Sequence, residues 1–353
     1  MNSGTPVVRT EFAETSRLLE RVSRSFYLTL RVLPAAIRQQ IGLAYLLARA
    51  TDTIADTHLV PVERRQAALR EMRAAIVNTA AGRTAMPPDF GELAAALQAP
   101  AGEGSHGERL LLETAGGLLE ALRSFSREDR QLVCEVLHTI TFGQEEDLAR
   151  FGRPAAGGIA ALDTDVDLDQ YAYCVAGCVG EFWTRMCLAH LFPGTRLDNS
   201  ILISNAVRFG KGLQLVNILR DLPRDLRSGR CYMPRAALAE LGLVPKDLLD
   251  PASFGRFRPL FDAYLLQARE HLSAGWAYTE SLPFRQIRVR LACAWPILIG
   301  VKTLARLRGR NVLDGAERIK VSRSEIRSLI LSSAVRYPLP RAWNRLFDKA
   351  GKS

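Results

Sequence analysis

Residues 45–56 read YLLARATDTIAD, and residues 214–225 read QLVNILRDLPRD. Each stretch has the apolar spacing of a helix and contains two aspartates four residues apart. The pairs are Asp52 with Asp56 and Asp221 with Asp225. On an α-helix, such residues are neighbours with Cβ atoms about 5–6 Å apart, so both carboxylates of a pair project from one face. The chain is therefore predicted to contain long helices that present paired carboxylates.

Paired carboxylates beside arginines indicate a site for a hard cation and phosphate groups. Mg²⁺ prefers oxygen ligands, and proteins usually hold it with one or two carboxylates while substrate phosphates complete the octahedron. Arg49 and Arg220 suit the phosphate side of such a complex. A single DxxxD spacing recurs by chance on solvated helix faces. Two pairs in apolar, arginine-rich surroundings predict instead that the two faces form a cage for magnesium ions.

The composition favours an all-α fold. Hydrophobic residues make up 48% of the 353 residues and charged residues 24%, which is typical of a globular protein with a substantial core. Aromatic residues are only 7%, and the abundance of Ala, Leu and Arg favours helices over sheets. No compositional shift marks a domain boundary, and no repeat of fixed period is present. A single helical domain is expected.

The formal net charge of +10 has two interpretations, attraction to an anionic membrane surface or to an anionic substrate. An arginine-rich solvated surface without a specific partner explains the charge equally well. No recognition motif supports nucleic acid, so no nucleic-acid partner is expected. Six cysteines without CxxC spacing indicate buried thiols in a reducing compartment, which suits a cytoplasmic protein.

The longest relevant apolar run, 291–301, is too short to span a bilayer, which takes about 20 apolar residues. No secretory leader is apparent at the N-terminus. Arginines flank the run on both sides, which suits a peripheral contact with a membrane surface. A core helix with basic ends is the alternative interpretation.

Prolines and glycines divide the helical pattern. Pro34 is expected to open a helix that ends near Thr57, and residues 81–107 to form an irregular connection or a short helix. Helical periodicity continues over 108–151. Pro223 lies between Asp221 and Asp225 and lacks a backbone donor, so the helix is predicted to end or kink there. Asp225 would then reach the metal from a distorted turn.

Five blocks, in this order along the chain, resemble the squalene and phytoene synthases. They are Ser23-Arg24-Ser25-Phe26, the stretch 45–56, YAYCVAGCVG at 171–180, the stretch 214–225, and GRCYMP at 229–234. The resemblance implies a single large helical bundle of the isoprenoid synthase type with a central cavity. Its single domain would cover 1–353, with a core of about 16–310 and a helical C-terminal extension of about 311–353.

The resemblance also implies roles for individual residues. Metal ligands would be Asp52, Asp56, Asn217, Asp221 and Asp225, with the four aspartates, Tyr171 and Tyr173 counted as catalytic. Substrate-binding residues would be Ser23, Arg24, Ser25, Phe26, Tyr45, Arg49, Val175, Gly177, Gln214, Asn217, Arg220 and Arg230. The family commonly has cysteine where this chain has Ala172, and some members have tyrosine where it has Cys174. The identity of the catalytic tyrosine therefore stays open.

Gly177 and Gly180 interrupt a helical pattern, where each glycine costs about 1 kcal/mol relative to alanine. Close helix packing explains such glycines, and room for a prenyl chain explains them equally well. Phe142 and the acidic residues 145–147 resemble a further helix of the family that faces the site.

The resemblance implies Mg²⁺-dependent head-to-head condensation of two prenyl diphosphates through a cyclopropyl diphosphate. Hydride from NADPH then gives squalene, proton loss gives dehydrosqualene or phytoene, and water gives hydroxysqualene. No Gly-rich dinucleotide loop marks an NADPH site. Trp295-Pro296 within an apolar helix is more similar to squalene synthases, which favours farnesyl diphosphate and squalene. A catalytically silent assembly factor is the rival class, and the sequence leaves monomer or dimer open.

Overall fold

The computed structural model of the chain describes residues 18–20, 22, 26–83, 88–97, 103–153, 158–195, 197–315 and 319–352. The prediction of an all-α fold is confirmed. The helices are α1 (Phe26–Val32), α2 (Ala35–Asp56), α3 (Val62–Ala80), α4 (Gly91–Ala96), α5 (Glu103–Glu113), α6 (Ala115–Arg123), α7 (Arg127–Phe151), α8 (Asp165–Ala172), α9 (Cys178–His190), α10 (Asn199–Arg227), α11 (Arg235–Ala239), α12 (Phe254–Ser281), α13 (Ile287–Arg308), α14 (Arg323–Arg336) and α15 (Pro340–Ala350).

Shorter elements connect these helices. A π-helical turn covers Tyr173–Gly177, and 3₁₀ turns cover Pro245–Leu249, Pro251–Ser253 and Val312–Asp314. Strands β1 (Ala160–Ala161) and β2 (Arg230–Cys231) pair in parallel. The chain divides into two compact units: the first unit comprises residues 1–149 and 185–193, and the second unit comprises 150–184 and 194–353. The prediction of a single domain with a central cavity is not tested by this division and stays a prediction.

The core of the first unit forms around α2. Pro34 sets the entry into this helix, as predicted, since a proline at this position lacks only a donor that the first helical turn leaves unused. Its buried residues, which include Leu43, Leu46 and Leu47, pack against α3 and α6. The face with Tyr45, Arg49, Asp52 and Asp56 is thereby fixed by burial of the opposite face.

Helix α10 is the centre of the second unit and packs most extensively along α12. Glycines permit close backbone contact between α10 and the chain segment formed by the π-helical turn and α9. A Cβ atom at Gly180 of α9 would lie 2.0 Å from the Ala206 carbonyl oxygen, and one at Gly210 would lie 2.1 Å from the Ala176 carbonyl oxygen. Real side chains cannot approach backbone so closely. Close helix packing therefore explains the glycine at 180.

The periodic stretch 108–151 contains two breaks that its pattern did not indicate. One break lies between α5 and α6 at Thr114, and the other lies between α6 and α7 at residues 124–126. Hydroxyl groups mark both breaks, because Thr114 Oγ1 donates to the Leu110 carbonyl oxygen and Ser126 Oγ accepts from the Asp129 amide. Such side-chain bonds compete with helical backbone bonds.

The helix was predicted to end or kink at Pro223. It does not end there, because α10 continues to Arg227, and a kink stays a prediction. Leu222 and Leu226, on either side of the proline, are both buried, and this packing holds the turn helical although one backbone donor is missing. The helix ends where Gly229 adopts a φ of 81°, a left-handed conformation that suits glycine. Asp225 therefore lies within the helix, one turn after Asp221.

The last two helices are joined to the core by stacked aromatic rings. Trp343 of α15 is 2% exposed and stacks on Trp276 of α12 with ring centroids 5.1 Å apart. Tyr337 meets the Trp343 ring edge-on at 5.1 Å. The guanidinium of Arg290 lies 5.7 Å from the Trp343 ring and 5.4 Å from the Tyr337 ring. A buried cation and three aromatic rings thus connect α15 to α12 and α13.

All six cysteines are free thiols. Five of them are buried, as predicted, while Cys134 is half-buried. Burial raises the pKa of Cys178 and that of Cys231 to about 12, so both groups stay protonated at neutral pH. Within the described part of the chain, no helix has the length and apolar character needed to cross a membrane.

Candidate active site

In the first unit, α2 aligns four predicted site residues along one stripe. Tyr45, Arg49, Asp52 and Asp56 follow each other at spacings of four, three and four residues, which keeps them on one helix face. Arg49 forms an ion pair with Asp52 through one nitrogen and donates through the other to Glu108 Oε1 at 2.5 Å. The guanidinium is therefore held between two carboxylates.

The electrostatics of this stripe favour a cation. The pKa of Asp52 is raised to about 6, first because protein atoms displace water and second because Asp56 is charged, while Arg49 offsets part of the rise. Since 45% of the Asp52 side chain is still accessible, solvent screens part of this effect. Burial lowers the pKa of Arg49, but the charges on Asp52 and Glu108 outweigh this and raise it overall.

A buried arginine fixes the end of α2. Arg65 is 3% exposed and donates from Nη1 to the Ala55 carbonyl oxygen at 2.6 Å and from Nε to the Val60 carbonyl oxygen at 3.0 Å. These carbonyls lie at the end of the helix and just beyond it, where backbone acceptors lack helical partners. Arg65 thereby positions the turn that carries Asp56.

In the second unit, the corresponding residues follow α10. Arg220 forms a bidentate ion pair with Asp221, with its Nε 3.0 Å and its Nη2 2.6 Å from the two carboxylate oxygens. Asp221 is buried, and Asp225 is half-buried with Arg224 Nη2 at 3.5 Å. Asn217 lies one turn before Asp221 and Gln214 lies two turns before it, and the Asn217 side chain is exposed. Four polar groups of one helix thus point to one region of this unit.

Asp225 resists ionisation. Burial raises its pKa to about 6, the charge on Asp221 adds to the rise, and Arg224 and Arg230 oppose it. The contributions of Asp221 and Arg230 show that both lie near Asp225. A divalent cation bound at this pair would remove the repulsion between the two carboxylates.

The predicted catalytic tyrosines lie at the start of the π-helical turn. Tyr173 is its first residue, and Tyr171 lies two residues earlier in α8. Tyr171 stacks on Tyr232 with ring centroids 4.7 Å apart. The Tyr173 hydroxyl donates to Glu181 Oε2 at 3.5 Å, and Lys211 Nζ lies 5.8 Å from the centroid of the Tyr173 ring. Burial and the charge on Glu181 raise the pKa of Tyr173, so its hydroxyl is a proton donor at neutral pH. π-helical turns occur frequently at functional sites.

Comparison with known proteins identifies the family of the chain. The family model described as squalene/phytoene synthase matches residues 19–325. The chain belongs to this family. Members of the family are prenyltransferases that act on prenyl diphosphates.

Relatives of the chain include both kinds of synthase. A bifunctional lycopene cyclase/phytoene synthase of Blakeslea trispora is 30% identical over 250 residues, which cover 70% of this chain and 36% of the relative. The squalene synthase ERG9 of Saccharomyces cerevisiae is 25% identical over 317 residues, which cover 90% of this chain and 66% of the relative. The chain therefore spans about a third to two thirds of these two relatives.

Solved structures show the same fold. A complex of TcSQS with the ligand BPH1237 matches with a TM-score of 0.76 and 21% identity, covering 97% of this chain and 90% of that one. A dehydrosqualene synthase in complex with a ligand matches with a TM-score of 0.64 and 20% identity, covering 94% and 98%. At this identity the likeness shows the squalene synthase-type helical fold.

Placement of the predicted family residues follows the two units. The first unit brings together Tyr45, Arg49, Asp52 and Asp56, and the second brings together Arg220, Asp221, Asp225 and Arg230. Val175 and Gly177 lie in the π-helical turn, where side chains of Tyr173, Val207 and Lys211 fill the space beside Gly177. Ser23, Arg24 and Ser25 lie outside the described residues, as does the side chain of Phe26. Their roles stay predictions.

Four neighbours of the site were not predicted as site residues. Glu108 and Arg65 carry no local signal, because their partners lie far away in sequence or are backbone carbonyls. Tyr232 belongs to the GRCYMP block, so its motif was the available signal. Lys211, which pairs with Asp169 at 2.7 Å, lies one residue after Gly210 and has no motif.

Each carboxylate pair fits magnesium as a partial ligand set. Within the described ranges, no three acidic, histidine or cysteine side chains form a ready-made metal site. Two carboxylates alone suit Mg²⁺, which keeps several waters and takes further oxygens from substrate phosphates. The raised pKa values of Asp52 and Asp225 show two carboxylate groups that nearby arginines compensate only in part. That the two pairs form a joint cage stays a prediction.

Proposed function

We propose that the chain is a squalene synthase that condenses two molecules of farnesyl diphosphate head to head and reduces the product with NADPH. The observation that carries this proposal is the α10 stripe of the second unit, where Asp221 and Asp225 lie one turn apart beside Arg220 and Arg230. In a member of the squalene/phytoene synthase family, such a stripe suits a diphosphate and its cation.

The first step breaks the carbon–oxygen bond of one farnesyl diphosphate and releases diphosphate. Mg²⁺, when bound, stabilises the negative charge that develops on the leaving oxygens. The residues that would hold Mg²⁺ are Asp52 and Asp56 in the first unit, and Asn217, Asp221 and Asp225 in the second unit. Arg49 and Arg220 are already oriented by carboxylates, so they supply donors to phosphate oxygens with little further ordering.

The carbocation then adds to the double bond of the second farnesyl diphosphate, and loss of one proton closes the cyclopropane of presqualene diphosphate. Aromatic faces stabilise such cations, and Tyr171 with its stacked partner Tyr232 offers them. Because the raised pKa of Tyr173 keeps its hydroxyl protonated, that group suits donation of a hydrogen bond rather than abstraction of a proton.

Loss of the second diphosphate leaves a cation, and NADPH, when bound, would supply the hydride that converts this cation to squalene and would leave as NADP⁺. The described residues present no recognised dinucleotide-binding loop, so we assign no residue to NADPH. The relatives include a phytoene synthase activity as well as squalene synthases. Proton loss to dehydrosqualene or phytoene, or capture by water, is therefore the alternative outcome. A catalytically silent assembly factor is the alternative from another class of protein.

The test is incubation of the purified chain with farnesyl diphosphate and Mg²⁺, with and without NADPH, and identification of the products by mass spectrometry. Squalene that forms only with NADPH supports the proposal. Dehydrosqualene or hydroxysqualene regardless of NADPH moves the enzyme to another branch of the family. If farnesyl diphosphate is not consumed, geranylgeranyl diphosphate is tested next, and no turnover of either contradicts a catalytic role.

Substitutions link turnover to the site. Asp52→Asn, Asp56→Asn, Asp221→Asn and Asp225→Asn are each expected to abolish most turnover while the fold is retained. Asp262→Asn is the matched control, because this aspartate of α12 pairs with Arg258 at 2.8 Å and has no predicted role. Nearly normal rates in more than one site variant would contradict the assignment of the metal ligands.

A further inference from the structure

Large apolar side chains are exposed where α13 begins and α14 ends. These are Phe284, Ile287, Leu331, Val335 and Leu339, which are between 46% and 67% exposed. We call them the basic apolar face, together with the exposed arginines Arg285, Arg288, Arg323, Arg327 and Arg341. Contiguous exposed apolar groups with a polar rim mark interaction surfaces.

Side-chain contacts join the two parts of this face. The Phe284 ring stacks on Tyr337 with centroids 5.0 Å apart, and the Tyr337 hydroxyl donates to the Phe284 carbonyl oxygen at 2.5 Å. Trp295 Nε1 donates to Ser333 Oγ at 3.0 Å, which fixes the side of α14 that faces α13. The start of α13 and the end of α14 are therefore held side by side.

The exposed side of α14 is apolar where a surface helix is ordinarily polar. Ser333 is buried against α13, whereas Leu331 and Val335, four residues apart, form a stripe that faces away from the core. Both are more than 60% exposed. Since none of the residues that the structure describes covers this stripe, its apolar character indicates an external partner.

Basic residues outnumber acidic residues around the face, with Glu280 exposed near Arg290 and Asp348 exposed in α15 as acidic exceptions. The sequence has seven basic residues and no acidic residue over 281–313, and six basic residues with one acidic residue over 319–347. That acidic residue, Glu325, is already engaged by Arg306 at 2.5 Å and Lys302 at 3.1 Å. Apolar side chains surrounded by arginines complement the interface of an anionic bilayer, where phosphate groups lie above acyl chains.

We propose that the basic apolar face docks the protein peripherally on anionic phospholipid membranes. The apolar side chains enter the boundary between headgroups and acyl chains, and the arginines bind lipid phosphates. The face involves other residues than the apolar run 291–301, most of which is buried in α13. The inference does not depend on the proposed reaction, because it concerns a surface without site residues.

The test is co-sedimentation of the full chain with lipid vesicles. Binding is expected to vesicles that contain phosphatidylglycerol, to be weak to pure phosphatidylcholine, and to fall as salt is raised. Arg285→Gln with Arg288→Gln should lower the partition coefficient about 30-fold, since each basic residue contributes about fivefold. Leu331→Gln with Val335→Gln should lower it about tenfold by removing apolar area.

Ile201→Gln with Val244→Gln is the matched control, because these exposed side chains of the same unit lie outside the face. This control should bind vesicles like the wild type. All variants change exposed residues, and circular dichroism checks that each is folded. Equal binding by the wild type and both face variants, or no binding by the wild type at low salt, would overturn the proposal.

Analytical ultracentrifugation tests the alternative that a second copy of the chain covers the basic apolar face. If the face variants abolish self-association while vesicle binding of the wild type is absent, the face is an interface between copies of the chain and the membrane proposal fails. Turnover of farnesyl diphosphate in vesicle-free solution is measured in parallel. The face variants should retain it, so loss of vesicle binding and failure of the proposed function give different results.

Discussion

Asp225 is harder to ionise in the folded chain than in the unfolded chain. Its pKa is raised from 3.8 to about 6, mainly by burial, so the folded state binds a proton more tightly between these values. The free energy of unfolding therefore decreases as pH rises through this window, and the full penalty is present above it. With only 16% of its side chain exposed, the group is little screened by solvent.

Asp225→Asn is accordingly expected to stabilise the metal-free protein by about 1–3 kcal/mol at about pH 8, and not at about pH 4. Urea unfolding with a chelator present measures this difference. Asp262→Asn, whose carboxylate is more exposed, should change little at either pH. An Asn variant at position 225 that is less stable than the wild type at the higher pH would show that the carboxylate is compensated in the folded state.

The glycines at helix contacts differ sharply in what a methyl group would meet. Gly210→Ala and Gly180→Ala should each destabilise the chain by about 3 kcal/mol or more, because the new Cβ would collide with a backbone carbonyl that cannot rotate away. Gly117→Ala in α6 has open space around it and should stabilise by about 0.5–1 kcal/mol. Thermal denaturation of the three variants tests the contrast, and similar shifts in all of them would contradict the packing.

The adjacent residue Arg64 provides a matched control for a substitution of Arg65. Arg65→Met should destabilise by about 2–4 kcal/mol, because it removes two hydrogen bonds and leaves buried carbonyls unsatisfied. It should also raise the magnesium concentration needed for turnover, since the end of α2 with Asp56 loses its support. Arg64→Met, which breaks only surface ion pairs with Glu71 and Glu92, should have neither effect.

Among the buried side chains of α15, Trp343 makes several ring and cation contacts with the core. Trp343→Ala should destabilise by about 3–5 kcal/mol, as it removes the ring that Trp276, Tyr337 and Arg290 all contact. Limited proteolysis should then cut within α14 or α15 before any other site. Arg345→Ala, an exposed residue of the same helix, should leave the cleavage pattern unchanged.

Helices were predictable wherever local spacing decides them. The proline signal at Pro34 placed the start of α2 within a residue, because the chemistry of a helix start is local. The π-helical turn at 173–177 was not predictable, since the extra residue in that turn depends on contact with Gly210 of a distant helix. The continuation of α10 past Pro223 likewise depends on burial of Leu222 and Leu226, which local propensity does not contain.

Site residues show the same division. Aspartates and arginines within a motif were identified from their spacing and their family resemblance. Glu108 was not, because its contact with Arg49 joins residues 59 positions apart. The positions of Ser23, Arg24 and Ser25 lie outside the described residues and rest on the resemblance alone.

For the chain as a whole, ligand binding should increase the free energy of unfolding. Mg²⁺ with inorganic diphosphate is expected to bind the folded chain and not the unfolded one, so it should raise the free energy of unfolding by about 2.7 kcal/mol at a concentration 100 times Kd. Differential scanning fluorimetry measures the shift. Asp225→Asn should abolish it and Asp262→Asn should keep it, whereas an equal shift in both would place the ligand elsewhere.

The cysteines have a practical consequence for studying motion in this protein. Thiol-directed probes react with accessible thiolates, and five of the six sulfur atoms are enclosed by the core. A fluorophore or spin label attached through a newly introduced surface cysteine would thus meet background only from Cys134. Replacing that one residue would give a host in which distances between the first and second units can be followed during turnover.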